Sequence, residues 1–308
     1  MFPVHLSPAA YRRITLVALL LLAFIIVTGG AVRLTGSGLG CPDWPNCDEG
    51  RLVAPLEYHA MVEFVNRTVT GLVSLAVILA VLGSLVRQPR RSDLVWLSLG
   101  LVGGVVAQIV LGGLTVLFHL KPPLVMAHFL LSMVILANAV VLHWRADDRL
   151  HSLSPAVPRE LRLLGRVVLA ATALVVFLGT VVTAAGPHGG DENVERLDVP
   201  LHRAAQVHGT AAMLLLAMVV VTLVLLSRAR APLAVRRRGT VLLAVVLAQA
   251  GIGYLQYFTG VPVALVAAHI AGATALWATA VRFNLGLGEG AAPESEALPL
   301  RREAVVAP

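Results

Sequence analysis

The chain has 308 residues, of which 57% are hydrophobic and only 13% charged, with a mean hydropathy of +0.83. A soluble domain carries about a quarter charged residues, so an ordinary water-soluble enzyme or binding module is excluded and a lipid bilayer is the expected surrounding. The formal net charge of +7 would fit a nucleic-acid partner, but its placement along the chain, taken up below, excludes that reading.

Arg12 and Arg13 precede an apolar run over 14–32. Cleaved signal peptides have apolar cores of only ~7–15 residues, so this longer run reads as a first transmembrane helix. Further runs cover 62–86, 94–118, 124–143, 164–185, 201–227, 239–258 and 262–283, each near the length that crosses a bilayer. The expected fold is therefore an all-α integral membrane protein of eight transmembrane helices. An even number puts both termini on one side. The segments on that side hold 18 of the 24 basic residues, including Arg87, Arg90, Arg91, Arg145, Arg149 and Arg236 to Arg238. The opposite segments hold Asp43, Asp48, Glu49, Glu57, Asp191, Glu192, Glu195 and Asp198. The positive-inside rule makes the arginine-rich face cytoplasmic. From Glu289 the chain is rich in Ala, Pro and Glu and reads as a disordered cytoplasmic tail over 289–308.

The chain repeats. Laying Gln108–His128 over Gln249–His269 gives seven identities in 21 positions, among them Gln108/Gln249, Gly112/Gly253 and His128/His269. A shift of 142 sets Asn66 over His208. Two pseudo-symmetric four-helix bundles are expected, 1–150 and 151–288, with ligand sites between facing helices of each.

Within the spans lie His128, His208 and His269. Ionisable groups at membrane depth are costly and generally functional, and imidazole is an axial ligand of haem iron. His208 and His269 form a complete pair, able to hold one haem from both sides. The first half supplies His128 and, under His208, Asn66, a poor iron ligand. His59 lies two helical turns before Asn66, about 10 Å further out, with Glu63 between them. That asymmetry suits one permanent cofactor and one substrate that comes and goes. Arg67 and Arg203 near helix ends are placed either to bind propionates or to snorkel to lipid head groups.

Cys41 and Cys47 share the first outer loop, where an oxidising compartment permits a disulfide. Two thiols alone do not complete a zinc site. A structural staple and a redox-active pair are both open.

These residues carry a resemblance. Gly29-Gly-Ala-Val-Arg-Leu-Thr-Gly-Ser-Gly-Leu-Gly-Cys-Pro-Asp-Trp-Pro-Asn-Cys47 resembles the first outer loop of the haem A synthase family. Val62-Glu-Phe-Val-Asn-Arg67, Gln108-Ile-Val-Leu-Gly-Gly-Leu-Thr115 and Gly179-Thr-Val-Val-Thr-Ala-Ala-Gly-Pro-His-Gly-Gly-Asp191 resemble its second-, third- and fifth-helix motifs. The resemblance implies haem b in the C-terminal half and oxidation of a methyl group of haem O to a formyl in the N-terminal half. It carries the family's histidines to His128, His208 and His269, its acid to Glu63 and its cysteine pair to Cys41 and Cys47. The remaining histidine falls on Asn66, a departure for which His59 is the candidate substitute. Haem O is the implied substrate, with haem O synthase and an electron-transfer protein as partners and a homo-oligomer allowed. A b-type quinol cytochrome and a haem transporter are the alternatives from other classes.

Overall fold

A computed structural model describes residues 5–48, 50, 53–148 and 157–288. The expected tail at 289–308, the division between 150 and 151, and the charges Glu49, Arg149, Arg301 and Arg302 lie outside the described residues. Among the described residues the chain forms eight helices: α1 (Pro8–Leu34), α2 (Tyr58–Val86), α3 (Ser92–Leu117), α4 (Pro122–Arg145), α5 (Arg159–Ala185), α6 (Leu201–Arg228), α7 (Leu233–Phe258) and α8 (Val263–Gly288). All eight are long and apolar enough to cross a membrane, and the protein is a multi-pass membrane protein. In hydrocarbon every backbone amide must be paired within the segment, which a helix achieves by itself.

Each helix falls on one expected span. The largest extensions are at the arginine-bearing starts of α1, α5 and α7, where polar residues continue the helix past the apolar run, and at the end of α8. At the start of α1, Ser7 accepts the Ala10 N–H and Pro8 occupies the first turn, a favourable N-terminus because proline has no amide to leave unpaired.

Each half closes as a ring of four: α1 packs on α2 and α4, and α3 on α2 and α4, with the same pattern among α5 to α8. The repeat is visible in the boundaries, because α3 and α7 coincide at both ends under the shift of 141. Large side chains such as Leu20, Leu72 and Leu214 point outward along the helices, where lipid replaces water as their neighbour. The interior uses small and branched residues, such as Ala80, Val77, Ala139 and Ala280, which let helices approach closely. The halves meet through α1, α4, α5 and α8, and Trp277 of α8 donates its indole N–H to the Met133 carbonyl of α4 at 2.7 Å.

The arginine-rich face is not a bare positive surface. Arg12 pairs with Asp147 at 2.9 Å, Arg91 and Arg145 with Asp93, and Arg91 also with Asp148. Arg87, fully buried, reaches both Asp148 oxygens at 2.5 Å and the Pro89 carbonyl. Trp144 of α4 receives the guanidinium groups of Arg238 and Arg282 from the other half. Arg87→Ala removes a buried charge anchored at three acceptors, at a cost of about 1–3 kcal/mol after discounting for the exposure of Asp148. A lower thermal midpoint in detergent is expected, and an unchanged midpoint contradicts the anchoring role.

Candidate functional site

His208 and His269 lie at the same depth in α6 and α8, seven and six residues beyond the first residue of each helix. His128 is likewise six residues into α4. All three rings are therefore near the cysteine-bearing face. The His208 and His269 ring centroids are 6.2 Å apart and their planes stand at 80°. Imidazole–metal bonds are about 2 Å and a ring nitrogen sits roughly 1 Å from its ring centre, so two imidazoles on opposite sides of one iron have centroids about 6 Å apart. The pair fits that requirement.

The protonation pattern fits as well. His208 Nδ1 lies 3.1 Å from the Val175 carbonyl of α5. A carbonyl only accepts, so Nδ1 carries the proton and Nε2 presents its lone pair. Ligating histidines are commonly oriented through such a second-nitrogen bond. Nδ1 of His269 and of His128 are enclosed without a protein partner. Among the described residues no third His, Cys, Asp or Glu joins the pair in a metal-holding cluster. Iron held by this pair would need further ligands that these side chains do not supply, as a porphyrin provides.

Each ring rests against a glycine on the adjacent helix. A Cβ at Gly179 would stand 3.2 Å from His208 Cε1, one at Gly112 3.2 Å from His128 Cε1, and one at Gly253 3.4 Å from His269 Cε1. The Gly112/Gly253 identity in the repeat is thus a matched accommodation of two imidazoles. Gln108 anchors the first of them from α3 by donating to the His128 carbonyl at 3.1 Å and to the Ser132 hydroxyl.

The first half differs opposite His128. Asn66 Oδ1 accepts the Thr28 hydroxyl at 2.8 Å, so the residue standing where the second half has His208 is engaged by α1. His59, exposed on the first turn of α2, bonds through Nδ1 to the Ser37 hydroxyl at 2.9 Å. The structure ties it to the first loop and not to the level of Asn66.

Glu63 and Arg67 hold that loop onto α2. Glu63 Oε2 accepts the Cys41 amide at 2.8 Å, and Oε1 accepts from Arg67 at 2.6 Å. The other Arg67 donors reach the carbonyls of Cys41, Asp43 and Asn46. Cys41 and Cys47 are disulfide-bonded and both are buried. The loop can lie this close because position 40 is glycine: a Cβ there would stand 2.2 Å from the His59 carbonyl. Trp44 at its tip covers Gly113 of α3. Arg203, the other arginine singled out in the sequence, is exposed on α6.

Sequence reasoning passed over Arg33 and His188. Arg33 donates to the carbonyls of His188 and Thr183 at 2.6 and 2.9 Å, and His188 Nε2 donates to the Val261 carbonyl at 2.9 Å. Together they lace the last turn of α1, the loop after α5 and the loop before α8 into one cap over both halves. Their signal was membership of the quoted motifs, where a cation and an imidazole sit at the membrane boundary.

A family model described as COX15-CtaA, cytochrome oxidase assembly protein, matches residues 12–59 and 52–187, more than half of the chain. The chain belongs to this family. Curated relatives named haem A synthase share its sequence: that of Exiguobacterium sibiricum is 32% identical over 53% of this chain and 55% of its own length. The Alkalihalophilus pseudofirmus protein is 27% identical over 58% of this chain and 60% of its own. The Shewanella oneidensis protein is 30% identical over 44% and 45%. The chain spans about half the length of the curated relatives it matches. In this COX15-CtaA chain the family match covers the disulfide loop, the Glu63–Arg67 clasp and His128.

The clasp predicts a measurable property of the disulfide. Arg67→Ala removes charge-assisted bonds to three loop carbonyls, each worth ~1.5–3 kcal/mol, so opening of the loop rises by about tenfold or more. Reduction by a membrane-impermeant phosphine, followed by alkylation and mass spectrometry, should be faster by that factor. Wild-type rates in the variant contradict the clasp.

Proposed function

We propose that the protein is a haem A synthase, an oxidoreductase that converts a methyl group of haem O to a formyl. The observation that carries this reading is the histidine pair: His208 and His269 stand 6.2 Å apart, whereas their counterparts in the first half are one histidine and an asparagine. Family membership and relatives named haem A synthase support it. His208 and His269 would hold haem b in the C-terminal half, 151–288. Bound there, haem b supplies one-electron redox chemistry.

The N-terminal half, 1–150, would take haem O, with His128 presented to its iron. We take the oxygen from water: the methyl and one water give an alcohol with two electrons and two protons released, and the alcohol gives the formyl with two more of each. Glu63 is the acid at this site and we assign it the handling of the protons. Arg67 holds its carboxylate and the loop in register, and the cap built on Arg33 and His188 limits water from that side. Asn66, bound to Thr28, leaves the position opposite His128 without a strong ligand. Apolar packing can then supply affinity while product release stays open. His59 would meet the iron only by leaving Ser37. The arginine asymmetry supports an orientation with both termini cytoplasmic, and the bacterial relatives support a bacterial plasma membrane as the setting. A haem O synthase would supply the substrate and an electron-transfer partner would take the electrons.

Haem extraction and chromatography of expressing cells test the assignment. Glu63→Gln should accumulate haem O and lose haem A by at least about 100-fold, the scale of removing a proton-transfer group. Production of haem A at the wild-type rate would sink it. Asn66→His should retain substrate or product through purification where wild type loses it. Equal retention contradicts the weak-ligand role.

A further inference from the structure

We propose that the crevice between α1 and α2 seats the long isoprenoid substituent of the substrate, leading it from the porphyrin position out along the lipid-facing side of the first bundle. This rests on the haem O reading above and adds a subsite to it. The crevice is an open groove of about 520 Å³, within the ~300–1,000 Å³ span of small-molecule sites. Phe24 and Ala31 of α1 and Met61, Val65 and Val69 of α2 form its walls, with Tyr58 at one end. From Tyr58 to Val69 the helix advances about 16 Å, so the groove runs lengthwise along the two helices.

Two observations choose the occupant. First, Asn66 lines the groove, and Asn66 is the residue that stands in place of the haem ligand His208. The groove therefore touches the position where the first half presents the far side of a porphyrin. A ligand that is both porphyrin and hydrocarbon can use the two together, whereas a free phospholipid gains nothing from that junction. Second, the bundle is closed deeper along α2. Val73, Val77 and Ala80 are buried against Leu22, Leu94 and Leu101 in one packed cluster, so a long chain has no route inward. The groove ends at Phe24 and Val69, one turn short of that cluster. Of its polar lining, Thr28 donates to Asn66 Oδ1 midway along the groove, and Glu57 and Tyr58 stand together at its outer end.

The walls can be filled without disturbing the core, because Val65 and Ala31 are both exposed. Val65→Trp and Ala31→Phe, purified in nanodiscs with the C-terminal haem in place, are titrated optically with haem O and with protohaem, which lacks the isoprenoid. Wild type should bind haem O more tightly than protohaem. Each variant should weaken haem O by about tenfold or more, the scale of excluding about two methylenes from an apolar site, and leave protohaem unchanged. Equal affinity of wild type for the two haems overturns the subsite. Unchanged haem O binding in both variants also overturns it, as does an equal loss for both haems, which marks a packing defect. Wild-type protein that binds neither haem in its first half overturns the haem O reading itself.

Discussion

Removal of water from an imidazole is the constraint around which this protein is built. At membrane depth a histidine must find a partner or carry a free-energy penalty. In the second half two rings stand 6.2 Å apart across the bundle, with the Val175 carbonyl fixing the His208 tautomer. Glycine on the neighbouring helix makes room for each ring. The first half inherits the same frame with one ring removed.

That removal separates the halves chemically. Two strong axial ligands favour a resident group, because both must be released before it leaves. One histidine facing an asparagine already bonded to Thr28 favours a visitor. On the proposed reading, one repeated frame then offers two sites of different residence time without a new architecture. The cap on the cysteine-bearing face spans both halves through Arg33 and His188, so the two sites share one cover.

Much of the fold was legible in the sequence because its signals are periodic or compositional. Eight apolar runs gave eight helices, and the Gln108–His128 match with Gln249–His269 gave the paired bundles, their shift of 141 reappearing in the ends of α3 and α7. Of the three glycines beside the rings, Gly112 and Gly179 were in the motifs and Gly253 in the repeat, although only the packing shows what they accommodate. Less legible was where the polar groups are spent. Arg67 was weighed between propionates and lipid head groups, and its donors go to loop carbonyls. Thr28 to Asn66, Ser37 to His59 and Arg33 to His188 join residues far apart in the chain and follow no period. The pairing of Arg87, Arg91 and Arg12 with Asp93, Asp147 and Asp148 was hidden for the same reason, since charge counting sees a sum and not the contacts.

The central claim is that the second half alone holds a permanent, doubly ligated haem. The direct measurement is the reduced-minus-oxidised optical spectrum of purified wild type, His208→Ala, His269→Ala and His128→Ala. The account predicts a low-spin b-type spectrum in wild type, its loss in His208→Ala and in His269→Ala, and its persistence in His128→Ala. A low-spin spectrum that survives in both second-half variants, or one abolished by His128→Ala, would contradict it.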